Sequence, residues 1–381
     1  MNFSLTDDQL TLRATIRDFA ASELNDDLIE NDRGSVFPHD KWRKCAAMGI
    51  PALSVPEEYG GTGADMLSVM VAMEALGYAC RDNGLIFALN AHMWAVQTPV
   101  LRFGSEAQKA TVLPKLVTGE WIGAHGMTEP GSGSDSFALS STAVRRGDVY
   151  VLNGTKTFVS NAPVADLFLI FASTSKARGF MGVTAFLVEK GTKGLSTPKA
   201  TEKMGLRTAP LGEIVLDDCE VPVENRLGGE GNGGTIFKHS MGWERACILA
   251  SYIGTMERQL EQSVEYARTR QQFAQPIGKF QSVSNKLVDM KLRLETARLL
   301  LYRAGWLRTQ GHDAMQEAAM AKLYVSECAV QSSLDAIQVH GGYGYTTEYQ
   351  FERELRDAIG SRIYSGTSEI QREIIARSMG L

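Results

Sequence analysis

Late in the chain, apolar side chains recur at helical intervals. Leu287, Met290, Leu294, Ala297 and Leu301 step by three and four, with Lys286, Asp289, Arg293 and Arg298 between them. That stripe predicts a helix with one buried face. We read it as core between packed helices rather than as a cofactor wall. Helical texture runs from about 234 to the end, and again over the first 120 residues or so. At the N-terminus Ser4 or Thr6 can cap the opening helix, with Asp7 and Asp8 in its first turn. Further helices are expected at 66–76 and 106–113, where Pro114 should end or kink the second. Pro51, Pro56 and the glycines 60, 61 and 63 mark a loop. Between the helical stretches the period shortens. Segments 148–152, 155–160, 166–172, 182–188 and 213–216 are short and rich in β-branched or aromatic residues. Asn153-Gly154 reads as a two-residue hairpin turn. The connections are too short for βαβ crossovers, so the sheet should be largely antiparallel. The expected fold is α+β and multidomain: a helical domain over 1–120, a middle antiparallel β domain over 121–228, and a C-terminal four-helix bundle over 229–381.

Composition narrows the function. A chain of 381 residues has room for two or three domains, and its 44% apolar and 22% charged content is that of an ordinary globular protein. A net charge of −5 disfavours a nucleic-acid partner. The five cysteines form no CxxC and the six histidines are scattered, so neither a disulfide frame nor a metal site is expected. No apolar run reaches the roughly 18 residues of a membrane span. The opening MNFSLTDDQL lacks the features of a secretory signal, and a cytoplasmic protein is expected.

Five motifs carry candidate chemistry. Gly229, Gly231 and Gly234 fit GxGxxG, but no βαβ unit surrounds them, so we read a flexible linker and not a dinucleotide fingerprint. Thr128-Glu129-Pro130-Gly131-Ser132-Gly133-Ser134-Asp135 is an irregular turn. It suits an anion or a ring edge, or simply a loop ahead of the strands. Arg268-Thr269-Arg270-Gln271-Gln272-Phe273 offers guanidinium forks for a pyrophosphate, or a solvated helix end. Gln338-Val339-His340-Gly341-Gly342 is a glycine-rich break where a backbone can approach a ligand, or a tight turn. Tyr364-Ser365-Gly366-Thr367-Ser368-Glu369 is a cap-like turn whose N–H groups can meet a ligand, or a plain N-cap.

The last four motifs, in this order in an α–β–α chain, resemble the acyl-CoA dehydrogenase family over nearly all of the sequence. Residues 203–210 also resemble the family's β-domain segment. The resemblance implies one FAD per subunit, a homotetramer, and oxidation of the Cα–Cβ bond of an acyl thioester. A glutamate removes the α-proton and flavin N5 takes the β-hydride. It further implies that Met127, Thr128, Phe158 and Ser160 line the isoalloxazine ring. Arg270, Phe273 and Gln281 serve the pyrophosphate and adenine side across a subunit boundary. Gln338, Gly341 and Gly342 complete that contact from another subunit, and Thr367 and Glu369 meet the dinucleotide half. Ser134, Arg245, Ser365 and Gly366 lie on the substrate side.

The sequence departs from the family's usual pattern at Ser365, where most members carry the catalytic glutamate. A minority, similar to the isovaleryl- and long-chain-type enzymes, place it 121 residues upstream, which here is Glu244. The α-proton of a thioester is weakly acidic, so the enolate oxygen must be stabilised while the base pulls. The backbone N–H of Ser365 keeps that donor, and Glu244 needs a dry site and a raised pKa. Residues 161–166, 242–247, 280–285 and 361–367 resemble the subgroup that desaturates prolyl groups on peptidyl carrier proteins. Residues 203–210 and 341–358 read instead like ordinary acyl-CoA enzymes, and Ala274 stands where the family usually has glycine. The expected function is FAD-dependent α,β-dehydrogenation of an acyl thioester on CoA or a carrier protein. Electron-transferring flavoprotein or oxygen would be the acceptor. The alternatives are a prolyl-carrier-protein dehydrogenase or oxidase in natural-product biosynthesis, a same-fold flavin monooxygenase, or a scaffold that has lost its chemistry.

Overall fold

Thr6 opens the first helix with a reciprocal capping box: its hydroxyl accepts from Gln9 N–H, and the Gln9 side chain accepts from Thr6 N–H. The computed structural model describes residues 4–198 and 200–381. Helices α1 (Asp7–Glu23), α2 (Leu28–Gly34), α3 (His39–Ala47) and α4 (Met66–Ala79) come first. They are followed by α5 (Asn83–His92), a π-helical stretch (Met93–Gln97), α6 (Thr98–Phe103) and α7 (Glu106–Val117). Pro114 lies inside α7, which runs on to Val117, so of the two expected outcomes it does not end the helix.

Eight strands follow: β1 (Gly123–Gly126), β2 (Thr142–Arg146), β3 (Val149–Ser160), β4 (Leu167–Ser173), β5 (Val183–Glu189), β6 (Leu195–Ser196), β7 (Leu211–Pro222) and β8 (Arg226–Leu227). They form one sheet in the order β6-β7-β3-β2-β4-β5-β8, with β1 also on β4. Most pairings are antiparallel, while β1–β4 and the β2–β4 bridge are parallel. The expected hairpin at Asn153-Gly154 is not there. β3 runs straight through these residues with a register shift against β7. Asn153 instead bonds Asp218 through side chain and backbone. Gly154 is required because a Cβ there would overlap Ser141.

The GxGxxG segment joins β8 to α8 (Gly233–Cys247). It is a connection, as expected, but packed rather than loose. Gly231 N–H donates to Thr184, and Cβ atoms at Gly233 and Gly234 would overlap Val183 backbone and Phe180. Then come α9 (Ala250–Thr269), a small hairpin of β9 (Gln271–Gln272) and β10 (Gln275–Pro276), α10 (Gln281–Thr309) and α11 (Met315–His340). Helices α12 (Phe351–Gly360) and α13 (Ser368–Ser378) complete the chain. The stripe on α10 is core: Met290, Leu294, Ala297 and Leu301 are buried. α4 packs into the same core against α9, so both helical parts share one apolar interior. The two helices cross where Gly77 faces Ser251 and Gly254 faces Glu74, leaving no room for a Cβ at either glycine.

Candidate active site

Glu244 sits near the end of α8, and Ser365 in the turn between α12 and α13. The Ser365 hydroxyl donates to the Glu244 carboxylate. Two residues 121 apart thus meet at one spot, and a carboxylate stands at the turn where the sequence carries serine. The turn is held in a left-handed conformation, with φ of 56° at Ser365 and 90° at Gly366. Arg245 Nε donates to the Ser365 carbonyl at 3.1 Å, and Gln371 Nε2 donates to the Ser365 and Gly366 carbonyls at 3.2 and 2.8 Å. The carbonyls are therefore pinned inward. Among the described residues, the N–H groups of Ser365 and Gly366 donate to no other group. Arg245, expected on the substrate side, acts in this structure as the tether of that turn.

Aromatic side chains adjoin both residues in the chain. Trp243 stacks on the fully buried Trp94 with ring centroids 6.0 Å apart and planes at 12°, and Tyr364 packs against Phe87 at 4.7 Å. Burial raises the Glu244 carboxyl above its ordinary range. The Ser365 hydrogen bond and the charges of Arg245 and Lys322 oppose the rise. A base moved upward toward neutrality is the state a general base requires.

A second group of predicted residues lies where β1 meets β3. Met127 is buried, and Thr157 N–H donates to the Thr128 carbonyl at 2.9 Å, so the two strand ends run side by side. Phe158 falls in a β3 irregularity, at φ 54°, and leaves its ring 66% exposed. A large aromatic held out of the core in a strained conformation suits a flat ring above it. Ser160 ends the same strand. The sequence reading missed the device that holds this edge. Lys156 and Glu129 form a fully buried ion pair at 2.6 Å, and Glu129 also accepts from Ser140 N–H and hydroxyl and from Ser141 N–H. A single charged residue, a lysine, inside a long strand was the available signal. Ser134 stays exposed on the turn beyond.

The third group lines one cavity of about 490 Å³, formed by Tyr266, Arg270, Gln272, Gly341, Gly342, Tyr343 and neighbours. A Cβ at Gly341 or Gly342 would meet nothing within 4 Å, so bare backbone faces open space. The Arg270 guanidinium lies 5.8 Å over the Tyr343 ring. Arg270 and residues 339–342 thus line one cavity of one chain, whereas the resemblance implied contacts from different subunits. Phe273 is 88% exposed at the hairpin tip, where Phe273 and Ala274 have φ of 48° and 59°. Ala274 thus occupies a left-handed position where glycine would be free of strain. Gln281 and Gln338 are exposed nearby in the chain. Thr367 caps α13, its hydroxyl accepting from Ile370 N–H, and Glu369 is exposed in that helix's first turn. A guanidinium, open glycine backbone and an exposed strained aromatic fit the parts of FAD: pyrophosphate and ring.

Comparison with known proteins agrees with this arrangement. The acyl-CoA dehydrogenase N-terminal, middle and C-terminal domain families match residues 6–120, 124–219 and 231–380. The chain is 46% identical over 382 residues to an L-prolyl-[peptidyl-carrier protein] dehydrogenase of Pseudomonas fluorescens, covering 100% of both chains. Among solved structures it resembles the prolyl acyl carrier protein oxidase AnaB, with TM-score 0.98 and 52% identity, covering 99% of this chain and 100% of that one. It resembles PigA with FAD and proline equally well, with TM-score 0.98 and 45% identity, covering 100% of both.

Proposed function

The chain belongs to the acyl-CoA dehydrogenase family, and on that premise we propose that it desaturates the Cα–Cβ bond of a prolyl or similarly compact acyl group carried as a thioester on a peptidyl carrier protein. It is an FAD-dependent oxidoreductase. The observation that carries the reading is the Glu244 carboxylate delivered to the Ser365 turn. FAD, when bound, accepts the hydride leaving the β-carbon. Glu244 takes the α-proton. The Ser365 N–H, left free by the pinned carbonyls, donates to the thioester oxygen as negative charge develops there. Trp94, Trp243, Phe87 and Tyr364 exclude water from the carboxylate and bound the space for the acyl group. Met127, Thr128, Phe158 and Ser160 hold the ring of FAD, and Arg270 with Gly341 and Gly342 holds a pyrophosphate. A scaffold that has lost its base is disfavoured, because a carboxylate stands at the turn. The carrier-protein preference rests on the close likeness to prolyl-carrier dehydrogenases.

We take the domain limits as 1–120, 121–228 and 229–381. The assembly we propose is a homotetramer in which Arg270 and its cavity serve the FAD of a neighbouring subunit. The exposed apolar residues Val288, Leu292, Leu299 and Trp306 on α10 support such an assembly. A cytoplasmic setting and electron-transferring flavoprotein or oxygen as acceptor complete the proposal. Among the described residues no helix is long and apolar enough to cross a membrane.

Two measurements test this. A panel of thioesters on CoA and on carrier proteins, scored by anaerobic flavin reduction, should give the fastest reduction with a prolyl-charged carrier. Faster reduction by a CoA thioester would replace the carrier-protein reading. Arg270→Ala should weaken FAD binding by about 1.5–3 kcal/mol, roughly ten- to hundredfold, since a charge-assisted contact is lost. Fluorescence titration of the apoprotein with FAD reads this directly, and an unchanged affinity would remove Arg270 from the site.

A further inference from the structure

Lys322 lies in the first third of α11 with 0% of its surface exposed, and its Nζ has no hydrogen-bond partner among the described residues. A buried ammonium without a partner is costly, and such groups persist where something else needs their charge. α11 packs against both α8, which carries Glu244 and Arg245, and α13, which follows the Ser365 turn. Glu327, one turn further along α11, is already engaged by Arg362 and Ser368. Arg245 is engaged by the Ser365 carbonyl.

We propose that Lys322 is a positioning residue for the reaction, an unpartnered buried ammonium whose field holds Glu244 in its carboxylate form. The inference rests on the reading of Glu244 as the base. Its chemical basis is a balance. Burial raises the Glu244 carboxyl, and the Ser365 hydroxyl, Arg245 and Lys322 pull it back. Lys322 is drawn down to about 8 by burial, with Arg245 adding to the fall and Glu327, Glu244 and Glu369 opposing it. It is therefore still largely charged at neutral pH.

The other charged and titratable groups on Glu244, on Lys322 and on the helices beside them are accounted for. Tyr364 and Ser365 come from the turn, Glu369 from α13 and Glu327 from α11. On α8 itself His239 is influenced by Arg102 and Arg308. On α10 Arg308 approaches Gly242 and pairs with Asp313 at 3.7 Å. None of these is a buried cation without a partner.

The sign follows directly. Removing the Lys322 charge takes away stabilisation of the carboxylate, so Glu244 should ionise at higher pH. In FAD-loaded enzyme, Lys322→Met is expected to move the acidic limb of the flavin-reduction rate upward by about 0.5–1 pH unit. On that limb the rate falls about three- to tenfold, while the plateau at higher pH stays near wild type. Lys322→Arg keeps the charge and should keep the wild-type limb. The probe is the prolyl-charged carrier protein, or butyryl-CoA where that reduces the wild-type enzyme faster. Lys322→Met should fold, because it removes an unpaired buried charge, and its melting temperature should equal or exceed the wild type's. Lys322→Gln provides the second neutral variant.

A limb unmoved in both neutral variants, with Glu244→Gln still slow, overturns the role of Lys322 and leaves Glu244 as the base. Neutral variants that unfold while Lys322→Arg folds make the ammonium a structural requirement, which also overturns it. Wild-type rates in Glu244→Gln overturn the underlying reading instead.

Discussion

Glu244→Gln is expected to slow flavin reduction by at least about 10²-fold, the low end for loss of a general base. The amide keeps the shape of the carboxylate and can still accept from the Ser365 hydroxyl. FAD and thioester should therefore bind as before, and the loss should fall on the reduction step alone. Ser365→Ala should cost far less. It removes one hydrogen bond to the carboxylate, while the backbone N–H assigned to the thioester oxygen remains. The side chain's removal also raises Glu244 further, since that hydrogen bond favours the ionised form. Ser365→Glu combined with Glu244→Gln should recover part of the rate, because the hydrogen bond brings both positions to one spot. Stopped-flow reduction of the three variants by a working thioester separates these effects. A Glu244→Gln enzyme that reduces at the wild-type rate rules Glu244 out as the base.

Lys156→Met should cost about 3–5 kcal/mol of stability, the usual penalty for stripping one partner from a buried ion pair. Both side chains are fully buried, at 0% and 1% exposure, and separated by 2.6 Å. The pair ties the turn after β1 to β3, so its loss should also loosen Thr128 and Phe158 and weaken FAD retention. Burial alone would push Glu129 up. The Lys156 charge and hydrogen bonds from Lys156, Ser140 and Ser141 outweigh it and hold the carboxyl at about 2. Burial draws Lys156 down to about 8, but Glu129 opposes this and the pair stays ionised at neutral pH. Because the folded pKa of Glu129 lies below its ordinary 4.5, its contribution is full above that value and lost as pH falls toward about 2. Urea midpoints measured across this window should fall for the wild type. In Lys156→Met they should start lower, and this acid loss should shrink or reverse, because without the Lys156 charge burial raises Glu129 back toward or above its ordinary value. Equal midpoints for the two proteins at neutral pH would show that the pair stabilises nothing.

Local pattern made the elements legible, while long-range contacts escaped it. The stripe on α10 could be read because its period is that of the helix and its buried residues follow that period. Thr6 could be read because capping is local. Asn153-Gly154 misled for a physical reason. The same two residues that make a tight turn also serve a bulge, and the choice was made by Asp218 and Ser141, remote in sequence. The site divides in the same way. Glu244 and Ser365 are 121 residues apart, and no spacing rule joins them. Family resemblance alone brought them together before the fold did. Glu129 stands in the Thr128–Asp135 motif, yet its partner Lys156 lies on a different strand, and Lys322 sits in an unremarkable stretch of helix. Arg270 and the 341–342 glycines were each recognised, but only the fold shows that one chain supplies both to one cavity.

The central claim is that Glu244 removes a proton from the α-carbon while the β-carbon loses hydride. A single anaerobic turnover on prolyl-charged carrier protein deuterated at the α-carbon tests it most directly. The account predicts that flavin reduction slows relative to the undeuterated thioester, that the α-deuterium leaves as an exchangeable proton into water, and that the product carries a Cα–Cβ double bond. With FAD replaced by 5-deaza-FAD, whose ring carbon keeps a transferred hydride, α-deuterium found on the reduced ring would mean hydride loss from the α-carbon, and would contradict it.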